Sequence, residues 1–136
     1  MMERPYLIVL ADDHVLVREG LRRILEDRAD LKVVAEVGDG IEVVDLLDAL
    51  PFDMAILDIS MPNLGGIEAT RRIKKARPDA KVLILTMHKT QEYLQQAILA
   101  GADGYLLKED ENADFFSAIE KIRKGEVYIS PQLCGK

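Results

Sequence analysis

The chain has 136 residues, of which 49% are hydrophobic and 31% are charged, and its formal net charge is −6. This length suits one compact domain, and the composition excludes a disordered chain. The acidic balance disfavours non-specific binding to nucleic acid. A single cysteine, Cys134, excludes an intramolecular disulfide, and no apolar run reaches the roughly 18 residues of a membrane span. The sequence therefore predicts one soluble, cytoplasmic domain that does not contact a membrane.

Five short apolar runs alternate with stretches of helical periodicity. Most runs are continuously apolar, as in parallel strands buried on both faces. They are Tyr6–Leu10, Val33–Val37, Met54–Leu57, Val82–Leu85 and Tyr105–Leu107. The stretches between and after them repeat apolar residues at helical spacing; the second such stripe comprises Val43, Leu46, Leu47 and Leu50. Five successive βα units predict a doubly wound α/β fold, with helices on both faces of a parallel sheet.

Helix boundaries are marked by residues with known positional preferences. Asp39 or Gly40 is predicted to start the second helix, and Asp110 to cap the fifth. Pro78 is predicted to end the third helix, and Gly101 to take the left-handed position after the fourth.

Polar side chains follow four of the five predicted strands. The first strand runs into Asp12 and Asp13, the third into Asp58, the fourth into Thr86 and the fifth into Lys108. In open α/β sheets, ligands bind beyond the carboxyl ends of the strands. If the first and third strands are neighbours, three carboxylates, a hydroxyl and an ammonium group gather at one edge of the sheet.

These groups match the requirements of phosphoryl transfer. Three adjacent carboxylates resist ionisation unless a cation joins them, and oxygen ligands suit Mg²⁺ rather than zinc. Lys108 and Thr86 would stabilise the charge on the oxygens of the transferred group. Aspartate carboxylates form acyl phosphates, and Asp58, alone at its strand end, is the best-placed nucleophile.

Each of these residues also has an ordinary structural explanation. Either aspartate of the first pair can cap a helix, and the third-strand aspartate can belong to a turn. The threonine can simply end a strand, and the lysine can be solvated. The coincidence of all four groups at one edge favours the functional interpretation. His14 and His88 are not spaced as a metal-binding pair and are predicted to be polar loop residues.

The chain resembles the receiver domain of a two-component response regulator, from Tyr6 to about Gly125. The matching segments are VLADDH, AILDISMPNLGGIEATRRI, VLILT and AILAGADGYLLKED. The segments LTMHKTQEYLQQAILAGADGYLLK and GEVYISP resemble the LuxR/NarL-type transcription regulators. The resemblance implies a flavodoxin-like sheet of five strands in the order 2-1-3-4-5, flanked by five helices.

The resemblance also implies a role for each site residue. Asp58 would accept a phosphoryl group from a phosphohistidine on a sensor histidine kinase, and Thr86 and Lys108 would contact the phosphoryl oxygens. The Mg²⁺ ligands would be Asp12, Asp13, Asp58 and the backbone carbonyl of Ser60. Gly66 fits the turn that follows the phosphorylated strand.

A switch and a longer protein are implied as well. Tyr105 would turn inward when Thr86 moves to the phosphate, which would change the surface of the fourth helix, fifth strand and fifth helix and control dimerisation. The domain would lose its phosphate slowly by itself, without acting as an enzyme on a turnover substrate. Residues 1–125 would form the receiver, and residues 126–136 would begin a linker to a C-terminal helix-turn-helix domain beyond Lys136, through which DNA would be bound.

Two positions depart from the usual receiver pattern. Glu109 follows Lys108 where most receivers have proline, so a trans peptide bond is expected there. Met87 follows Thr86 where a small residue is common, which is expected to narrow access to Asp58. A Mg²⁺-dependent phosphohydrolase is the rival interpretation, but its first strand commonly carries a DxD motif, and the acids here are adjacent. A degenerate interaction module would not need the full set of site residues.

Overall fold

The computed structural model describes residues 4–134, in which strands and helices alternate along the chain. The strands are β1 (Tyr6–Ala11), β2 (Leu31–Val37), β3 (Met54–Leu57), β4 (Lys81–Thr86), β5 (Gly104–Leu107) and β6 (Tyr128–Ile129). The helices are α1 (Val15–Glu26), α2 (Gly40–Leu46), α3 (Gly66–Ala76), α4 (Gln91–Ala100) and α5 (Asn112–Arg123). No helix in the described part is long and apolar enough to cross a membrane.

All strands are parallel, in the order β2-β1-β3-β4-β5-β6. The predicted doubly wound fold and the order 2-1-3-4-5 are therefore confirmed. β1 and β3 are neighbours, with Ala11 opposite Leu57. This register brings the residues that follow the two strands to the same edge of the sheet.

Two apolar cores cover the two faces of the sheet. One core packs α2, α3 and α4 against one face, where Val43, Ile73 and Ala97 are fully buried. The other packs α1 and α5 against the opposite face, around Leu25 and Ile119. Since both faces are covered, the strands are continuously apolar, which is the pattern seen in the sequence.

A sixth strand extends the sheet where the sequence predicts only an exit segment. Tyr128 N donates to Asp103 O at 3.1 Å, and Ser130 N donates to Tyr105 O at 2.8 Å. The free edge of β5 offers carbonyl groups that need donors, and the segment after Gly125 supplies them. Residues 126–134 thus pack on the domain for part of their length.

The predicted helix boundaries are partly correct. Asp39 caps α2, since its carboxylate accepts from Glu42 N at 2.9 Å, and Gly101 ends α4 with φ of 104°. The prediction for Asp110 is wrong, because Glu111 is the N-cap of α5 and Asp110 instead accepts from Leu107 N at 2.9 Å.

The second apolar stripe extends beyond its helix. α2 ends at Leu46, although the stripe continues to Leu50. The guanidinium of Arg77 donates to the carbonyl oxygens of Leu47 and Leu50, and thus satisfies groups that a longer helix would have bonded internally. Arg77 itself follows α3, directly before Pro78, as the sequence predicts for the end of that helix.

Candidate functional site

The predicted functional residues meet at the carboxyl edge of the sheet. Asp12 directly follows β1, Asp58 follows β3, and Lys108 follows β5, while Thr86 is the last residue of β4. Asp12 and Asp58 are 3% and 5% exposed, and Thr86 is fully buried. The site therefore consists of charged groups largely withdrawn from solvent, an arrangement that requires each of them to have a partner.

Lys108 provides that partner for two of the aspartates. Its Nζ lies 2.6 Å from Asp12 Oδ2 and 3.1 Å from Asp58 Oδ2. Burial opposes the positive charge, but the hydrogen bonds to both carboxylates outweigh it and raise the pKa of Lys108. Burial likewise favours a neutral Asp12, yet its hydrogen bonds with Lys108 and His14 outweigh burial and lower the pKa of Asp12. Asp12 and Lys108 therefore hold opposite charges at neutral pH.

The acidic groups can accommodate a divalent cation. Oxygens of Asp12, Asp13 and Asp58 and a ring nitrogen of His14 lie within 4.8 Å of one another. Three carboxylates suit a hard ion such as Mg²⁺, which prefers oxygen ligands. Asp13 and His14 are the exposed members of the group, so the site is open to solvent on their side. The residues present fit this ion, and Lys108 competes with it for the carboxylates of Asp12 and Asp58.

The loop after β3 holds Asp58 in place. Ser60 N donates to Asp58 Oδ1 at 3.4 Å, a long and weak contact. Gly66 N donates to Ile59 O at 3.0 Å, which folds the loop back onto the start of α3. A Cβ at Gly66 would lie 2.1 Å from Asp58 O. Glycine is therefore required for the close approach of α3 to the strand end, as the resemblance implies for this turn.

Thr86 and Tyr105 lie on the same face of the sheet. Among the hydrogen bonds of the described residues, none joins these two side chains directly. Thr86 Oγ1 accepts from His88 N at 3.4 Å, and the Tyr105 hydroxyl donates to His88 O at 2.7 Å. Tyr105 is fully buried while Thr86 Oγ1 contacts His88 N, and the coupling of its inward position to a movement of Thr86 stays a prediction. Burial is the main cause that raises the pKa of Tyr105 to about 12, with Tyr93 and Asp58 adding to it.

The two departures from the receiver pattern have different structural outcomes. The Lys108–Glu109 peptide is trans, as predicted, and Glu109 pairs with Lys89 at 2.7 Å. Met87 is 74% exposed, so most of its side chain lies in solvent. Narrowed access to Asp58 stays a prediction.

Two histidines lie in loops, as the sequence predicts, and both also contact residues of the site. His14 Nδ1 lies 3.0 Å from Asp12 Oδ1 and 3.3 Å from Asp13 Oδ1. His88 Nε2 lies 2.7 Å from Ser60 Oγ. Each histidine stands two residues after a strand-end residue of the site. That offset was the available signal, since a loop that leaves a strand end stays near the site for its first residues.

The family model of the response regulator receiver domain matches residues 8–120. Transcriptional regulatory protein DegU of Brevibacillus brevis is 39% identical over 131 residues, or 96% of this chain and 56% of that protein. Response regulator UvrY of Escherichia coli K12 is 40% identical over 126 residues, or 93% of this chain and 58% of that protein. The chain thus spans little more than half the length of these curated relatives.

Solved structures agree with the sequence matches. A LuxR-family two-component response regulator from Aurantimonas sp. SI85-9A1 has a TM-score of 0.91 at 40% identity, covering 95% of this chain and 92% of that one. The isolated REC domain of RcsB from Salmonella enterica serovar Typhimurium, in the presence of the phosphomimetic BeF3−, has a TM-score of 0.88 at 27% identity. That match covers 96% of each chain.

Proposed function

The chain belongs to the response-regulator receiver family of LuxR/NarL-type regulators, and we propose that it accepts a phosphoryl group on Asp58 from a sensor histidine kinase. The observation that carries this proposal is the placement of Lys108 Nζ, 2.6 Å from Asp12 and 3.1 Å from Asp58. A buried carboxylate at a central strand end, beside a fixed positive charge, is suited to attack a phosphorus atom and to have the resulting charge stabilised.

The proposed step transfers one phosphoryl group from the histidine of the kinase to Asp58. A carboxylate oxygen of Asp58 forms a bond to phosphorus, the P–N bond of the phosphohistidine breaks, and its electron pair stays on the imidazole nitrogen. Lys108 then donates to an oxygen of the transferred group, and the Thr86 hydroxyl donates to another. Lys108 now contacts Asp58, and Thr86 now contacts His88 N, so each side chain would exchange one nearby partner for a phosphoryl oxygen. Preorganised donors of this kind are a main source of rate in phosphoryl transfer.

Mg²⁺, when bound, would neutralise charge on the transferred oxygens, and the residues that would hold it are Asp12, Asp13, Asp58 and the carbonyl of Ser60. Before transfer, Lys108 pairs with Asp12 and Asp58, and this pairing contributes to the lowered pKa of Asp12. The product is an acyl phosphate, which water hydrolyses slowly. The chain therefore acts as a phosphoacceptor that loses its phosphate by itself, without a turnover substrate.

The output of the domain is proposed to be control of transcription. Phosphorylation would bias the Thr86–Tyr105 pair and with it the surface of α4, β5 and α5, which would favour dimerisation. DNA would be bound by a C-terminal domain outside this chain, since the net charge of −6 disfavours contact of the receiver with phosphates. A cytoplasmic location is consistent with a partner kinase that presents its phosphohistidine there.

Intact-mass spectrometry with acetyl phosphate and Mg²⁺ tests the acceptor. The parent chain should gain one phosphoryl group, and Asp58→Asn, which keeps the shape and removes the nucleophilic oxygen, should gain none. Asp45→Asn, a change at an exposed aspartate of α2, is the matched control and should be phosphorylated like the parent. Equal phosphorylation of Asp58→Asn and the parent would refute Asp58 as the acceptor.

A further inference from the structure

One histidine, His88, contacts both members of the predicted switch pair. The main chain of His88 binds both members of the pair, because its N–H donates to Thr86 Oγ1 and its carbonyl accepts from the Tyr105 hydroxyl. Its ring contacts Ser60 on the opposite side of the site, at 2.7 Å between Nε2 and Oγ. Thr86 and Tyr105 are thus connected through His88.

The same ring also contacts α4. The rings of His88 and Tyr93 have centroids 4.5 Å apart at an angle of 37°. Tyr93 lies in the first turn of α4, and Thr90 caps this helix by accepting from Tyr93 N. A displacement of the His88 ring therefore reaches the start of α4 directly through Tyr93.

We propose that His88 is a positioning residue that couples the loop after Asp58 to Tyr105 and to α4. Its ring is held by Ser60, which stands two residues after Asp58, so any movement of that loop is passed to the His88 carbonyl and hence to the Tyr105 hydroxyl. That phosphorylation of Asp58 acts through this coupling rests on the proposed function. The coupling itself requires only the Ser60, His88, Tyr93 and Tyr105 contacts.

The network has short contacts on either side of His88 and long contacts at its two ends, between Asp58 and Ser60 and between Thr86 and His88. The Ser60–His88 and Tyr105–His88 contacts are both 2.7 Å, within the range of good hydrogen bonds. The Ser60 N contact to Asp58 is 3.4 Å and is readily exchanged for a better acceptor. New oxygen acceptors on Asp58 would therefore displace Ser60 at little cost, and His88 would follow.

Fluorine NMR of the chain labelled with 3-fluorotyrosine tests the coupling without any phosphodonor. The chain has four tyrosines, and Tyr6 and Tyr128 lie on strands away from the site, so they serve as internal references. Ser60→Ala removes the hydroxyl that contacts His88 and leaves the side chains of Tyr93 and Tyr105 unaltered. We expect the resonances of Tyr93 and Tyr105 to move by more than one line width and the two reference resonances to stay in place.

Conservative variants separate positioning from general damage to the fold. Ser60→Thr keeps the hydroxyl and should restore the parent positions of both resonances. Ser117→Ala makes the same change at an exposed serine of α5 and should move none of the four. His88→Phe keeps a ring and the main chain but loses Nε2; it should shift Tyr105, and adding Ser60→Ala to it should give no further shift. A Tyr105 resonance in Ser60→Ala that coincides with the parent would overturn the coupling.

A second measurement with BeF3− and Mg²⁺ separates this inference from the proposed function. The parent should show a BeF3−-dependent shift of Tyr105, and Ser60→Ala should reduce that shift by at least half. An unresponsive parent would count against phosphorylation at Asp58, while the comparison without BeF3− would still decide the coupling. A full response in Ser60→Ala would show that the signal bypasses His88 and would overturn its proposed role.

Discussion

Replacing Lys108 by methionine should be among the more destabilising single changes at the site. The ammonium group contacts Asp12 at 2.6 Å and Asp58 at 3.1 Å, and the three side chains are only 16%, 5% and 6% exposed. Removing one partner of a buried pair leaves uncompensated buried charge, which costs about 3–5 kcal/mol. Because Lys108 keeps some contact with solvent, we expect about 3 kcal/mol. With a urea slope of about 2 kcal/mol/M, the midpoint of unfolding should fall by about 1.5 M.

The cost of Lys108→Met should depend on pH with a defined sign. The pKa of Asp12 is lowered in the folded chain, so its stabilising effect is present above its unfolded pKa of about 3.9 and is lost as pH falls through the folded value. The pKa of Lys108 is raised, so its effect is present below about 10.4 and is lost as pH rises through the folded value. The difference between parent and variant should be largest near neutral pH and should shrink as pH falls, because the unpaired buried carboxylates of the variant take up protons before the paired Asp12 of the parent does.

A matched lysine provides the control for this measurement. Lys89 also forms a 2.7 Å ion pair, with Glu109, but both side chains are about half exposed. Exposed pairs contribute about 0–1 kcal/mol, so Lys89→Met should shift the urea midpoint by less than about 0.5 M. Urea unfolding followed by circular dichroism at several pH values compares the two variants. Equal losses in Lys108→Met and Lys89→Met would refute the argument from burial.

Three further variants test the metal site, the turn and the opposite edge of the sheet. Asp13→Ala should abolish the rise in melting temperature that Mg²⁺ gives the parent, since it removes one of the proposed ligands. Gly66→Ala should lower stability by about 1–3 kcal/mol in urea unfolding, because its Cβ would lie 2.1 Å from Asp58 O. Asp53→Asn should cost about 1–2 kcal/mol at pH 7, because the uncharged amide accepts a weaker hydrogen bond from Leu7 N and loses the bidentate contact with Arg4. Hydrogen bonding with Arg4, opposed by burial, lowers the pKa of Asp53, so this cost should disappear as pH falls below about 4.

Each of these variants has a matched control in the chain. Asp45→Ala, on the exposed face of α2, should keep the full Mg²⁺ response, and an unchanged response in Asp13→Ala would remove it from the metal site. Gly20→Ala meets nothing within 4 Å in α1 and should raise stability by about 0.5–1 kcal/mol, so a similar gain at position 66 would contradict the contact with Asp58. Asp79→Asn, at an exposed turn, should leave the pH profile of unfolding unchanged; a profile of Asp53→Asn that matches the parent would exclude a role for its carboxylate.

The fold and the position of the site could be predicted from the sequence because both depend on the polarity of a parallel sheet. Continuous apolar runs need helices on both faces, and parallel strands bring their carboxyl ends to one edge. Asp12, Asp58 and Lys108 follow three different runs, so their convergence follows from the topology once β1 and β3 are neighbours. Which oxygens Lys108 contacts is set by distances that no spacing in the sequence specifies.

The features that could not be predicted from the sequence depend on contacts between separate parts of the chain. β6 forms because carbonyl groups along the edge of β5 need hydrogen-bond donors, which Tyr128 and Ser130 supply. The two-residue sequence of β6 is too short to reveal this pairing. Asp110 does not cap α5, because its carboxylate accepts from Leu107 N and from the side chain of Gln132; Glu111 stands at the N-cap position without a side-chain capping bond. His88 looks like an ordinary loop residue until the β3–α3 loop places Ser60 beside it.

The two edges of the sheet explain why aspartates before and after the strands behave differently. At the amino edge the strands present N–H groups, which carboxylates can accept from. Asp53, which precedes β3, accepts from Leu7 N of β1 at 2.8 Å. Asp103, which precedes β5, accepts from Val82 N of β4 at 2.9 Å. At the carboxyl edge the neighbouring strands present carbonyl oxygens, which repel a carboxylate. An aspartate there must find a cation or a loop N–H, and it competes with its neighbours for both. The placement of the site therefore follows from the direction of the strands: the edge that cannot satisfy buried carboxylates with its own backbone is the edge where we propose that a metal ion and a phosphoryl group bind.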